Sequence, residues 1–228
     1  MKLTLTLLLG LVFSLPLSAT EKIILTTNIL KPYQYLNNQQ QLTGIAIEPI
    51  KCALNLMQQP YEFKVYPWSR AQAYVAAQEA QGFFIASQNA QRDQYATVSI
   101  PIINNQWLWY THIERSFNFQ HPNFTTQTKI ASIKGTNMLR WLKNEFIHVS
   151  APNDTKTLFL MLDKHRVDVV LLNKDMFEST FTAEYRKRYK AHFARNAPLR
   201  AYFENQFLAR HPRFLTRFND AITHCQTL

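Results

Sequence analysis

From residue 22 onward, short apolar runs alternate with segments in which apolar residues recur every three or four positions. This alternation restricts the chain to an α/β architecture. Residues 22–27 open with a strand pattern. Ile47, Ile50, Leu54 and Met57 then share one helix face within residues 45–57. Residues 61–66 alternate as a strand that Pro67 ends, 69–79 are helical in composition, and 83–86 and 106–111 read as a third and a fourth strand. A second unit follows. It has a strand at 128–133, a helix after Gly135-Thr136 with Met138, Leu139 and Leu142 inward, a strand at 146–149 and a helix at 155–164. Residues 167–172 are an almost unbroken apolar run, of the kind buried on both faces of a sheet. Residues 175–189 are expected to be mostly helical, 199–209 extended, and 212–223 helical with Phe214, Leu215, Phe218 and Ile222 inward.

The N-terminal residues 1–19 read as a secretory signal peptide: Lys2, an apolar stretch from Leu3 to Phe13, and small residues up to Ala19. The alternative, an anchoring helix, is disfavoured because the apolar run is shorter than the roughly 20 residues a span needs and is broken by Pro16. A formal net charge of +10 is compatible with nucleic acid, an anionic membrane or an acidic solute. Export argues against nucleic acid. The only dense basic cluster, Arg186-Lys187-Arg188 with Lys190, reads as a solvated helix face. Two cysteines in an exported chain predict one disulfide, Cys52 to Cys225, which would fix the C-terminus onto the N-terminal unit; two buried thiols are the alternative.

Apart from one glycine in the leader, the chain has only Gly44, Gly82 and Gly135, each at a helix or strand junction. No Gly-rich phosphate loop and no GxSxG elbow is present. The seven histidines are dispersed without HxxxH or CxxC spacing, so no metal, cofactor or catalytic residue is assigned. Attention therefore falls on residues 82–101. There a buried apolar strand turns polar at Ser87-Gln88-Asn89 and is followed by Arg92 and by Ser99-Ile100-Pro101. Ligands in open α/β sheets sit outside the carboxyl ends of strands. An arginine there offers a rigid fork of donors to a carboxylate or phosphate.

With this stretch in place, the sequence resembles the family 3 periplasmic solute-binding proteins, the polar amino acid class. The matching elements occur in order: a first strand ending in a Pro-aromatic loop at 23–35, Leu42-Thr43-Gly44-Ile45, Pro67-Trp68-Ser69-Arg70-Ala71, the stretch above, Ile133-Lys134-Gly135-Thr136, and Val167-Asp168-Val169-Val170. The resemblance implies a type II binding-protein fold: two lobes, each with a central mixed sheet, joined by two hinge crossings. Lobe one would hold residues 20–110 and 203–228, and lobe two residues 111–202. The crossings would lie near 109–113 and 196–202. It further implies a monomer that closes on a small solute and docks to a membrane permease of ABC type.

Residue by residue, Arg92 matches the arginine that pairs with a ligand carboxylate, and Ser87 and Gln88 match the polar segment beside it. Thr136 and Asn137 match the second lobe's contact, at a helix start whose free amides favour an anion; Thr136 can equally be an N-cap. Tyr33, Trp68 and Arg70 match cleft-facing positions, with core packing or solvation as the plain reading. Trp107, Trp109 and Tyr110 read as strand and hinge packing. Where amino acid binders hold the ligand ammonium with an acid, this chain has Asn173. The expected solute is therefore small, polar and carboxylate-bearing rather than a standard amino acid, unless nearby Asp175 substitutes. Two alternatives remain. One is a sensing module that reports to a membrane receptor. The other is a dehydratase of the same fold using Asp168, Asp175 or Glu178 as general acid.

Overall fold

The computed structural model describes residues 21–226, so the leader reading lies outside the described residues. Strand β1 (Ile23–Thr27) leads through the short strands β2 (Tyr35–Leu36) and β3 (Leu42–Thr43) into helix α1 (Ile47–Leu56). Then come β4 (Tyr61–Val65), α2 (Trp68–Ala76), β5 (Gly82–Ala86), the single turn α3 (Ala90–Asp93), β6 (Ala96–Ile103) and β7 (Gln106–His112). The next elements are α4 (Phe124–Gln127), β8 (Ile130–Ala131), α5 (Asn137–Glu145), β9 (Val149–Ser150), α6 (Thr155–Asp163), β10 (Val169–Asn173) and α7 (Lys174–Thr180). The chain ends with α8 (Ala183–Arg186), β11 (Tyr189–Asn196), β12 (Leu199–Glu204), α9 (Asn205–Arg210) and α10 (Phe214–Cys225).

These strands form two mixed five-stranded sheets, in the orders β4-β1-β5-β12-β6 and β11-β7-β10-β8-β9. Each has a buried central strand. All five residues of β5 and all five of β10 are buried, which is why both read as continuous apolar runs. Gly82 opens β5 against β12 so closely that a Cβ there would stand 2.5 Å from the Tyr202 carbonyl oxygen.

Several sequence expectations change here, and residues 205–209, expected to be extended, lie in α9. The strand at 106–112 pairs with β10 and β11 in the second sheet, so the first crossing falls at residues 104–105 instead of 109–113. β12 belongs to the first sheet from Leu199 onward, which narrows the second crossing, expected within 196–202, to 197–198 and moves residues 199–202 from the second unit to the first. Finally, the helix expected to run to Tyr189 stops at Arg186, and residues 189–196 are extended. They form β11, an edge strand with mostly exposed side chains, pinned by the Tyr189 ring packing on Phe159 and Phe177. Its polar, cationic composition carries no strand signal, because one face and one edge lie in water.

The C-terminal helix returns to the first sheet. Asn219 Oδ1 accepts from the Ile100 amide at 3.1 Å, and Arg217 Nη2 donates to the Met57 carbonyl at 2.8 Å. Cys52 of α1 and Cys225 of α10 are joined as a disulfide across 173 residues of chain. Closing so long a loop restricts the unfolded chain strongly. Replacing both cysteines by alanine is expected to lower stability by about 2–4 kcal/mol in urea titration; a loss under about 0.5 kcal/mol would mean that helix packing alone holds α10 in place.

Candidate functional site

A cavity of about 260 Å³ lies where the carboxyl ends of parallel strands from the two sheets face each other. Asn28 follows β1, Ser87 follows β5, Ile133 and Lys134 follow β8, and Asn173 ends β10. The end of β5 is turned toward the cavity by a bulge. Arg200 pairs with Ala86 and Ala201 with Phe84, which leaves Ile85 as the extra residue, at φ +62°. That backbone is unfavourable for a β-branched side chain.

Arg92 stands 4% exposed behind this strand end. It sits on the turn α3, whose N-cap Asn89 accepts from the Arg92 amide at 3.0 Å. Its Nε donates to Gln72 Oε1 at 2.9 Å and its Nη1 to the Ser87 carbonyl. The guanidinium lies 5.2 Å from the Trp68 ring centroid and 6.0 Å from that of Phe83. Trp68 and Gln72 are four residues apart on α2, hence on one face, and together they cradle the arginine. No carboxylate among the described residues forms an ion pair with Arg92. Burial pulls its pKa down, yet a guanidinium remains charged. These two bonds leave donors of its fork available to the cavity it lines.

Across the cavity, α5 presents its N-terminus. Gly135 takes φ +79°, and Thr136 caps the helix: its hydroxyl donates to the Ile133 carbonyl at 2.7 Å and accepts from the Leu139 amide at 3.2 Å. The amides of Asn137 and Met138 are left at the positive end of the helix dipole. Asn137 Nδ2 donates to Ser87 Oγ and joins the two sheets across the cleft.

Of the residues singled out in the sequence, Arg92, Ser87, Trp68, Thr136, Asn137 and Asn173 line this one cavity. Gln88 lines an adjoining chamber instead and donates to Asp93 Oδ2 at 3.3 Å. Arg70 is exposed. It stands two positions from Trp68, about 200° around the helix, so it points away from the cleft. Tyr33 is not a cleft wall either. It is fully buried, and its hydroxyl donates to Asn105 Oδ1 at 3.0 Å; burial and the charge of Asp175 push its phenol pKa up. Trp107, read as packing, is buried and also lines the cavity.

The acids noted in the sequence lie elsewhere. Asp168 pairs with Arg115 at 2.7 Å at the opposite end of β10, and neither Asp175 nor Glu178 lines the cavity. Burial raises the Asp175 pKa, with the Tyr33 hydroxyl acting against it. Asp175 therefore does not replace the missing ammonium partner at Asn173. Among the described residues, the charged ones that line the cavity are Arg92 and Lys134.

Sequence reasoning missed Gln72 and Asn105. Asn105 is 1% exposed at the first crossing. It accepts from Tyr33 and donates to Asn173 Oδ1 at 3.2 Å and to the Ala197 carbonyl at 3.0 Å. The signal was present as Asn104-Asn105, a polar break between two apolar runs.

The architecture is that of the two-lobed, type II periplasmic binding proteins. Solved structures that share it include the ligand-binding core of GluR0 from Nostoc punctiforme in complex with L-glutamate (TM-score 0.69, 13% identity, 90% of this chain and 93% of that one). Others are the arginine-, lysine-, histidine-binding protein ArtJ from Geobacillus stearothermophilus (0.67, 14%, 91% and 90%) and substrate-binding domain 2 of GlnP from Lactococcus lactis (0.62, 13%, 93% and 92%). At such identities the likeness establishes the fold. The sequence matches no protein-family model and no curated protein.

Asn105→Ala should leave the groups on Tyr33, Asn173 and Ala197 without their partner, each buried loss costing about 1–3 kcal/mol. Chemical denaturation is expected to show a total loss of at least about 2 kcal/mol. A loss below about 0.5 kcal/mol, within the scatter of ordinary surface changes, would remove Asn105 as the pin of the crossings.

Proposed function

We propose that the protein is a solute-binding protein that captures a small carboxylate-bearing solute between its lobes by hinge closure, acting as a monomer outside the cytoplasmic membrane and delivering its solute to a membrane permease of ABC type. The observation that carries this reading is a buried arginine that has no carboxylate partner among the described residues, facing the N-terminus of α5 across a cavity that none of their acidic side chains lines. A carboxylate placed between them would receive charge-assisted bonds from the guanidinium on one side and helix amides on the other. The solved structures that share the fold include proteins named for the amino acids they bind. The asparagine at position 173 argues for a ligand without the α-ammonium group: its oxygen is engaged by Asn105, and its nitrogen by Met176 Sδ at 3.5 Å. The disulfide between Cys52 and Cys225 fits an oxidising compartment.

Closure is the functional event, and a ligand biases it only through its higher affinity for the closed form. Arg92→Ala is expected to abolish carboxylate binding in titration calorimetry of the folded variant, with some loss of stability because Gln72 and the Ser87 carbonyl lose their partner. Arg92→Lys should restore little, since an ammonium cannot reproduce the fork. Binding that survives within about threefold, under about 1 kcal/mol, would refute the site.

A further inference from the structure

The cleft does not end at the Arg92 cavity. Ser87, Trp107 and Asn137 line both that cavity and a second chamber of about 400 Å³, so the hydrogen bond from Asn137 to Ser87 stands between the two. Arg140 and Trp141 of α5, Arg195 of β11 and Arg200 of β12 border the second chamber, and among the described residues no acidic side chain lines it.

The three arginines are not equivalent. Arg200 is committed to the fold, donating to the Ser99 carbonyl at 2.9 Å. Arg195 lies over the rings of Trp107, at 5.3 Å, and Trp141, at 5.8 Å. Stacking fixes the direction of its guanidinium without neutralising it. Arg140 donates to Asn137 Oδ1 at 3.4 Å, a neutral acceptor on the residue that separates the chambers. Neither Arg140 nor Arg195 forms an ion pair among the described residues. Burial lowers the pKa of Arg92, and the nearby charge of Arg140 adds to that. Basic residues that were merely solvated would point apart into water. Here two of them border one chamber that shares Ser87, Trp107 and Asn137 with the Arg92 cavity, and the acids that would offset them stand elsewhere.

We infer that the second chamber is a subsite for a second anionic group of the solute, so that the ligand is an elongated organic dianion, a dicarboxylate being the simplest. One carboxylate would lie at Arg92, the other at Arg140 and Arg195, and the carbon chain would pass Ser87 and Asn137 along the Trp107 ring. The inference rests on the solute-binding reading and sharpens its substrate class.

Titration calorimetry of straight-chain α,ω-dicarboxylates of increasing length, each beside the monocarboxylate of equal carbon number, tests it on the wild-type protein, on Arg140→Gln/Arg195→Gln and on Arg92→Ala. At one chain length the diacid is expected to bind at least about tenfold more tightly than the monoacid, which is about 1.4 kcal/mol. The double variant should erase that advantage and weaken the monoacid less than about twofold. Arg92→Ala should weaken both. Equal affinities at every length, or an advantage that survives in the double variant, would overturn the inference. If monoacids bind in an Arg92-dependent way without any diacid preference, the subsite alone is refuted and the solute-binding reading stands. If no acid of either kind binds, both are refuted.

Discussion

The relation between the two sheets depends on one buried amide. The chain leaves the first sheet after Ile103 and re-enters it at Leu199, and these crossings run side by side. The Ala197 amide donates to the Asn105 carbonyl at 2.9 Å, and the Asn105 side chain donates back to the Ala197 carbonyl. The same side chain accepts from Tyr33 in the first unit and donates to Asn173 in the second. Because buried polar groups are costly when unpaired, this arrangement is highly specific. It sets how the ends of β1 and β5 meet those of β8 and β10, and so fixes the cavity. Asn173 occupies the position where a ligand contact was expected, but its oxygen accepts from Asn105 at the crossing and its nitrogen donates to Met176 Sδ.

The same constraint explains why Arg92 is an arginine. Burying a cation is expensive unless its donors are met. A planar guanidinium lowers that cost in ways an ammonium cannot, by stacking on Trp68 and Phe83 while donating in its plane to Gln72 and to the Ser87 carbonyl. What these neutral partners do not supply is a counter-charge. The residual field of Arg92 is directed into the cavity, and α5 adds a partial positive charge from the other side. On the proposed reading, a site with this polarity would select by sign first and by shape second. The surrounding Leu30, Ile85, Trp107, Ile133 and Met176 then favour a solute with a carbon body over a bare inorganic anion.

Much of this was legible before any coordinates. The buried strands β5 and β10 announce themselves as apolar runs, and Arg92, Ser87, Thr136 and Asn137 are found by their place after strand ends or before a helix. The failures have particular causes. β11 is an edge strand whose exposed residues Lys190, Ala191, Phe193, Arg195 and Asn196 give neither period, so local pattern could not find it. The crossing was placed too late because residues 106–112 look like a strand in either sheet; only pairing with Val170, Leu171 and Leu172 decides the matter. Tyr33 and Arg70 show the limit of carrying a role by position. Both occur at the matching points in sequence, yet helix phase turns Arg70 outward and hinge packing claims Tyr33. Gln72 has no sequence signature at all, since an amide one turn after a tryptophan is ordinary until an arginine twenty residues away is seen to rest on it.

The energetics of closure follow from which cross-cleft contacts are neutral and which are charged. The direct bond between the sheets at the cavity, Asn137 to Ser87, joins an amide to a hydroxyl, and such bonds contribute about 0.5–1.5 kcal/mol net. A contact of that size is easily opened, so on its own it leaves closure close to balanced. Hydrogen bonds to a charged group contribute about 1.5–3 kcal/mol, and a carboxylate bridging Arg92 and the amides of α5 would make several of them only when the two sides are together. Moving a population from 1:99 to 99:1 requires a differential affinity of about 5.5 kcal/mol, and one that starts near balance requires less. Two or three such bonds supply it, whereas a neutral solute replacing one amide–hydroxyl contact by another does not. On the proposed reading, the absence of acids from the cleft makes closure itself responsive to the charge of the ligand.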